Sequence, residues 1–135
     1  MIFKQVDAIK QGKKTQTRRL KRPGESTKIE YFRKDGFFAG VVDAKDRTRY
    51  RIDSSYAICP KRGAAGISDG RIKVTEIRFE PLQFITEADA KAEGVGSVEE
   101  YRQLWESING KTKGARWADN PTVWVLKFEY QPAGS

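Results

Sequence analysis

At 135 residues the chain has the common size of one domain, and it can bury roughly two-thirds of its unfolded surface without staples. Histidine is absent and Cys59 is the single cysteine, so an intrachain disulfide is excluded and neither a metal centre nor another cofactor is expected; a lone thiol fits a reducing, cytoplasmic setting. A net charge of +8 favours polyanionic partners, and with no leader-like start and no run of ~20 apolar residues no membrane segment is expected.

In chain order, the three-residue spacing of Phe3, Val6 and Ile9 predicts a short helix over about 4–11, stopped at Gly12. Thr15–Leu20 reads as an extended segment, and Arg22-Pro23-Gly24-Glu25 as a turn. From Lys28 to Ile58 the pattern is β: a hairpin turning at Lys34-Asp35-Gly36, a strand over 37–42, a turn over 43–46, and strands over 47–52 and 56–59. Pro60–Gly70 reads as a mobile or close-approach loop carrying Lys61 and Arg62. Arg71–Phe79 is the best strand in the chain, ended by Pro81. Thr86 with Asp89 predicts a capped helix closed at Gly94. Ser97 opens a second, with Tyr101, Leu104, Trp105 and Ile108 on its apolar face and Gly110 at its end. A polar loop leads to a final buried strand, Pro121–Tyr130. This order lacks βαβ alternation, so a small curled antiparallel sheet or open barrel with flanking helices is expected, in one α+β domain.

The charge is unevenly placed. Lys10, Lys13, Lys14, Arg18, Arg19, Lys21 and Arg22 fall within thirteen residues that hold no acid, whereas Glu76–Glu106 is acid-rich. Within the basic segment, Gly12-Lys13-Lys14-Thr15-Gln16-Thr17-Arg18-Arg19 mixes cations with hydroxyls, the combination that phosphate recognition needs. Strand alternation sorts Thr15, Thr17 and Arg19 to one face and Lys14, Gln16 and Arg18 to the other; a solvated edge strand would look the same. A threonine beside Lys14 suits nucleophilic chemistry only if the amine is neutral. Glu93 sits at a helix C-terminus, where the dipole disfavours a carboxylate, and that placement points to a role. Of the three tryptophans, Trp105 and Trp124 lie on apolar faces and read as core, leaving Trp117 as the candidate for stacking on a base.

The segment from Gly12 to Arg19 resembles the G-x-K-x-x-T-x-R signature of the ASCH domain family, matching at Gly12, Lys14, Thr17 and Arg19. The resemblance continues through Thr75-Glu76-Ile77, Ile85–Gly94, Leu104-Trp105 with Ser107-Ile108-Asn109, and Asn120–Val125, so it spans nearly the whole chain. It implies a PUA-like β-barrel with a cleft, and RNA or a modified nucleoside as partner. Some small bacterial members are amidohydrolases that deacetylate acetylcytidine; others resemble ribonucleases, and others only bind. The amidohydrolases' catalytic set falls on Lys14, Thr17 and Glu93 here, with Gly12, Lys13, Thr15, Arg18, Arg19, Lys61, Arg62 and Trp117 as expected nucleic-acid or nucleoside contacts. The chain departs from those enzymes in its greater length, its Pro60–Gly70 loop and its Trp105–Trp117 region, which bear on the substrate more than on the fold.

Overall fold

The structure, a computed structural model, describes residues 3, 5–30, 38–59 and 70–132. Helix α1 spans Val6–Lys10, α2 Glu87–Ala92 and α3 Val98–Asn109. The strands are β1 Gln16–Leu20, β2 Ser26–Glu30, β3 Phe38–Val42, β4 Thr48–Arg51, β5 Ser55–Ala57, β6 Arg71–Pro81 and β7 Thr122–Gln131. Among the described residues all pairings are antiparallel, in a four-stranded sheet ordered β1-β7-β6-β5 and a three-stranded sheet ordered β2-β3-β4. Together with the helices they make a curled half-barrel of the α+β class.

Two differences from the sequence expectation have simple causes. Pairing of β6 runs through Pro81, opposite Thr122, because a proline in the last position of a strand has no ladder bond to donate. The loop expected over 111–120 contains a 3-10 turn, Trp117–Asp119, closed by Asn120 in the left-handed region. The turn expected at 34–36, nearly all of Pro60–Gly70 and therefore Lys61 and Arg62 lie outside the described residues.

Strand β7 organises the interior because both its faces are covered. Val123 and Val125 pack under the helices with Leu82, Ile85, Ala90, Tyr101 and Trp105. On the opposite face Trp124 and Leu126 meet Val41 and Tyr50 of the three-stranded sheet. Phe128 continues that face into a third cluster with Phe3, Ile9, Ile58 and Ile72. Such a doubly covered strand reads as the near-continuous apolar run Val123–Leu126 rather than as an alternation. The face beneath α2 and α3 is the one that positions the candidate site.

Candidate functional site

Lys14 is placed by its backbone. After α1, Gly12 turns the chain at φ +74°, and the N–H groups of Lys13 and Lys14 both donate to the Ala8 carbonyl, at 2.9 and 3.0 Å. The Thr15 N–H then donates to the Ala92 carbonyl at 2.8 Å, and the Thr15 carbonyl accepts from Phe128 at 3.0 Å. Lys14 thus lies between the ends of α1 and α2, where it forms an isolated antiparallel bridge with Glu93. Glu93 caps the C-terminus of α2 and Gly94 follows at φ +90°. A Cβ on Gly94 would stand 3.2 Å from the Lys14 Cβ and 3.4 Å from that of Ala8, so glycine is needed for both conformation and space.

That geometry brings the charges together. The Lys14 ammonium donates to Glu93 Oε2 at 2.6 Å and to the Glu93 carbonyl at 3.1 Å, with the two side chains 6% and 1% exposed. The pair is the charge-assisted kind, buried where water screens it least. Glu93 Oε1 meets no hydrogen-bond partner among the described residues. Burial raises the Glu93 carboxyl above its ordinary range, against the pull of Lys14, Arg18 and Arg19.

Arg18 is fully buried and turns to acids far along the chain: Nη2 pairs with Glu80 and, at 3.3 Å, with Asp89 Oδ2. Asp89 is the residue that also closes the α2 capping box with Thr86. Nε and Nη1 of Arg18 are buried with no hydrogen-bond partner among the described residues. Its neighbour Arg19 lies over the Phe3 ring, 4.9 Å from the centroid. Burial lowers the Arg19 pKa, against the attraction of Tyr50 and Glu93.

These cations meet at a cavity of about 220 Å³. Lys14, Arg18 and Arg19 line one side, and Tyr101, Leu104 and Trp105 of α3 line the other. The Trp105 indole N–H donates to the Ala115 carbonyl at 2.8 Å, which fixes the ring. Burial holds the Tyr101 phenol well above its usual range, with the Glu93 charge adding to the effect, so the hydroxyl stays protonated and able to donate. The combination offers a base-sized apolar slot with cationic donors along one edge.

Of the residues singled out in the sequence, Lys14, Arg18 and Arg19 line the cavity, while Glu93 lies behind Lys14 and is joined to the cavity wall only through that contact. Thr17 is buried in β1 opposite Leu126 and does not line the cavity. Gly12, Lys13 and Thr15 are exposed on the approach to Lys14. Trp117 packs half-buried against the cluster beneath the helices, away from the cavity, and its backbone N–H donates to Glu106 Oε1 at 2.5 Å. The simple alternation expected for β1 gives way to burial of Gln16, Thr17 and Arg18 in succession, because helices and sheet cover both faces. Tyr101, and Trp105 as a cavity wall, were missed: their apolar helical spacing signals core, and they serve as core and wall together. Among the described residues no group of three or more His, Cys, Asp or Glu side chains is placed to hold a metal, and no helix is long and apolar enough to cross a membrane.

The fold is that of a solved ASCH domain. The chain is similar to the ASCH domain of Lactobacillus crispatus JV V101, known from a high-resolution crystal structure, with a TM-score of 0.52, 16% identity, and coverage of 93% of this chain and 69% of that one. A protein from Enterococcus faecalis V583 described under the family-model DUF984 aligns with a TM-score of 0.49 at 14% identity, over 93% of this chain and 68% of that one. No family model and no curated protein matches the chain.

Proposed function

We propose that the chain binds RNA or a modified nucleoside, with a base held in the cavity between Tyr101 and Trp105 on one side and Lys14, Arg18 and Arg19 on the other. The observation that carries this reading is Arg18: a buried cation with two N–H groups unpartnered among the described residues, lining a cavity walled by aromatic rings. Unfilled buried donors are costly unless an acceptor meets them, and a nucleobase edge supplies acceptors while its face supplies the stacking surface. Measured with a labelled single-stranded RNA, affinity should fall as salt rises, with a slope near −0.7 for each phosphate neutralised. Arg19→Ala should weaken binding. Affinity indifferent to both salt and Arg19 removes the proposal.

A second reading is favoured by the Lys14–Glu93 contact and follows the ASCH amidohydrolase resemblance: hydrolysis of an N-acyl group on cytidine. Water adds to the acyl carbon and gives its proton to a neutral Lys14, whose own proton has passed to Glu93 across the 2.6 Å contact. The C–N bond then breaks, the exocyclic amine of cytosine takes a proton from Glu93, and cytidine and the carboxylic acid leave, the acid losing its proton to solvent while Lys14 and Glu93 return to the charged pair. Burial of Glu93 favours its protonated form, as this cycle requires. Incubation with acetylcytidine should release cytidine in the wild type, and Lys14→Ala and Glu93→Gln should abolish release. Turnover equal in both variants takes the chemistry away from Lys14 and Glu93, and turnover absent from the wild type leaves binding alone. Thr17→Val keeps the side-chain shape and asks whether the hydroxyl contributes.

A further inference from the structure

We propose that a second, larger cleft beside the cavity binds the nucleotides flanking the one held over Lys14, so that the ligand is a single-stranded RNA of several nucleotides rather than a free nucleoside. This inference rests on the cavity's reading as a base site. The cleft measures about 1050 Å³, roughly five times the cavity, and Leu20 lines both, so a strand leaving one enters the other across a single side chain.

Three features of the cleft point to the same ligand. Phe79 and Phe84 line it at 61% and 65% exposure, among the few large apolar side chains the fold leaves in water. Two such rings in one cleft differ from the scattered apolar residues that any surface carries. Lys21, Arg22 and Lys113 line the same cleft, and among the described residues none of them forms an ion pair. The acid in its wall, Glu80, is already engaged by Arg18 and Arg78, so it does not set the sign of the cleft's charge. Exposed rings for base faces and uncompensated cations for a backbone are what sequence-tolerant binding of single strands uses. A duplex offers no free base faces, so the occupant is unpaired.

The test uses the full chain and two probes: labelled oligocytidylate of roughly ten nucleotides, within the span one small nucleic-acid-binding domain covers, and cytidine monophosphate for the cavity alone. The double variant Phe79→Ala/Phe84→Ala should weaken oligonucleotide binding by about thirtyfold or more and leave the mononucleotide unchanged. Lys113→Gln should reduce the oligonucleotide salt slope by about 0.7. Unchanged oligonucleotide affinity in the double variant, with both probes weakened by Arg19→Ala, overturns the cleft and leaves the cavity standing. The converse result, loss with the phenylalanines and indifference to Arg19, supports the cleft and overturns the cavity. A wild type that binds neither probe ends both readings. A sedimentation shift from dimer to monomer in the double variant, with oligonucleotide affinity intact, makes this face a protein contact and overturns the proposal.

Discussion

The ion pair of Lys14 and Glu93 is held by backbone geometry as much as by charge, and its behaviour under substitution follows from its burial. Removing one member of such a pair leaves the other as an uncompensated charge, which is far costlier than removing both. Lys14→Met should therefore lower unfolding free energy by about 3–5 kcal/mol, and adding Glu93→Gln should restore much of it. Urea denaturation of the four species measures this, and simple additivity of the two changes would show that the partners are not coupled. Glu93 was visible in the sequence as a carboxylate at the wrong end of a helix. The acids facing Arg18 were not, since Glu80 and Asp89 lie 62 and 71 residues away and no local rule links them. Trp117 misled for a related reason: a polar loop signals exposure, yet the 3-10 turn folds the ring back on the core.

Helix ends were the most legible features of the fold because capping is a local contract between residues three apart. Thr86 with Asp89 and Ser97 with Glu100 both cap as their spacing predicts. What spacing does not reveal is where two helix ends meet, and that meeting builds the site. Gly12 and Gly94 separate the two contributions. Both have positive φ, but a Cβ on Gly12 has nothing within 4 Å, whereas one on Gly94 presses on Lys14 and Ala8. Gly12→Ala should cost about 1 kcal/mol, the backbone penalty alone. Gly94→Ala should cost about 2–3 kcal/mol and also weaken ligand binding, by moving Lys14 from Glu93. Equal costs in denaturation would mean that the close approach carries no weight.

Across the whole molecule the antiparallel class was readable from the strand order, but the division into two sheets was not, because the contacts that join them are long-range. Glu25 is the clearest case. It lies at the start of the three-stranded sheet, yet accepts from the Trp124 indole of β7 at 3.0 Å, a residue 99 positions away. Arg49 of β4 reaches the same carboxylate at 2.9 Å, and the Arg22 N–H donates to it at 2.7 Å. Burial alone would raise this carboxyl, but the donors from Arg22, Trp124 and Arg49 outweigh it and hold the pKa below its ordinary value. A carboxyl lowered in the folded state stabilises the fold fully above its unfolded pKa, about 4.3, and loses that contribution as pH falls through the lower folded value. Glu25→Gln cannot ionise and should lower stability by roughly 1.5–3 kcal/mol at neutral pH, the worth of hydrogen bonds to a charged group. The gap between wild type and variant should then close as the solution is acidified below about pH 4. Denaturation midpoints measured across that range decide it: a gap that narrows assigns the joining of the two sheets to the ionised carboxylate, and a gap constant with pH assigns it to shape alone.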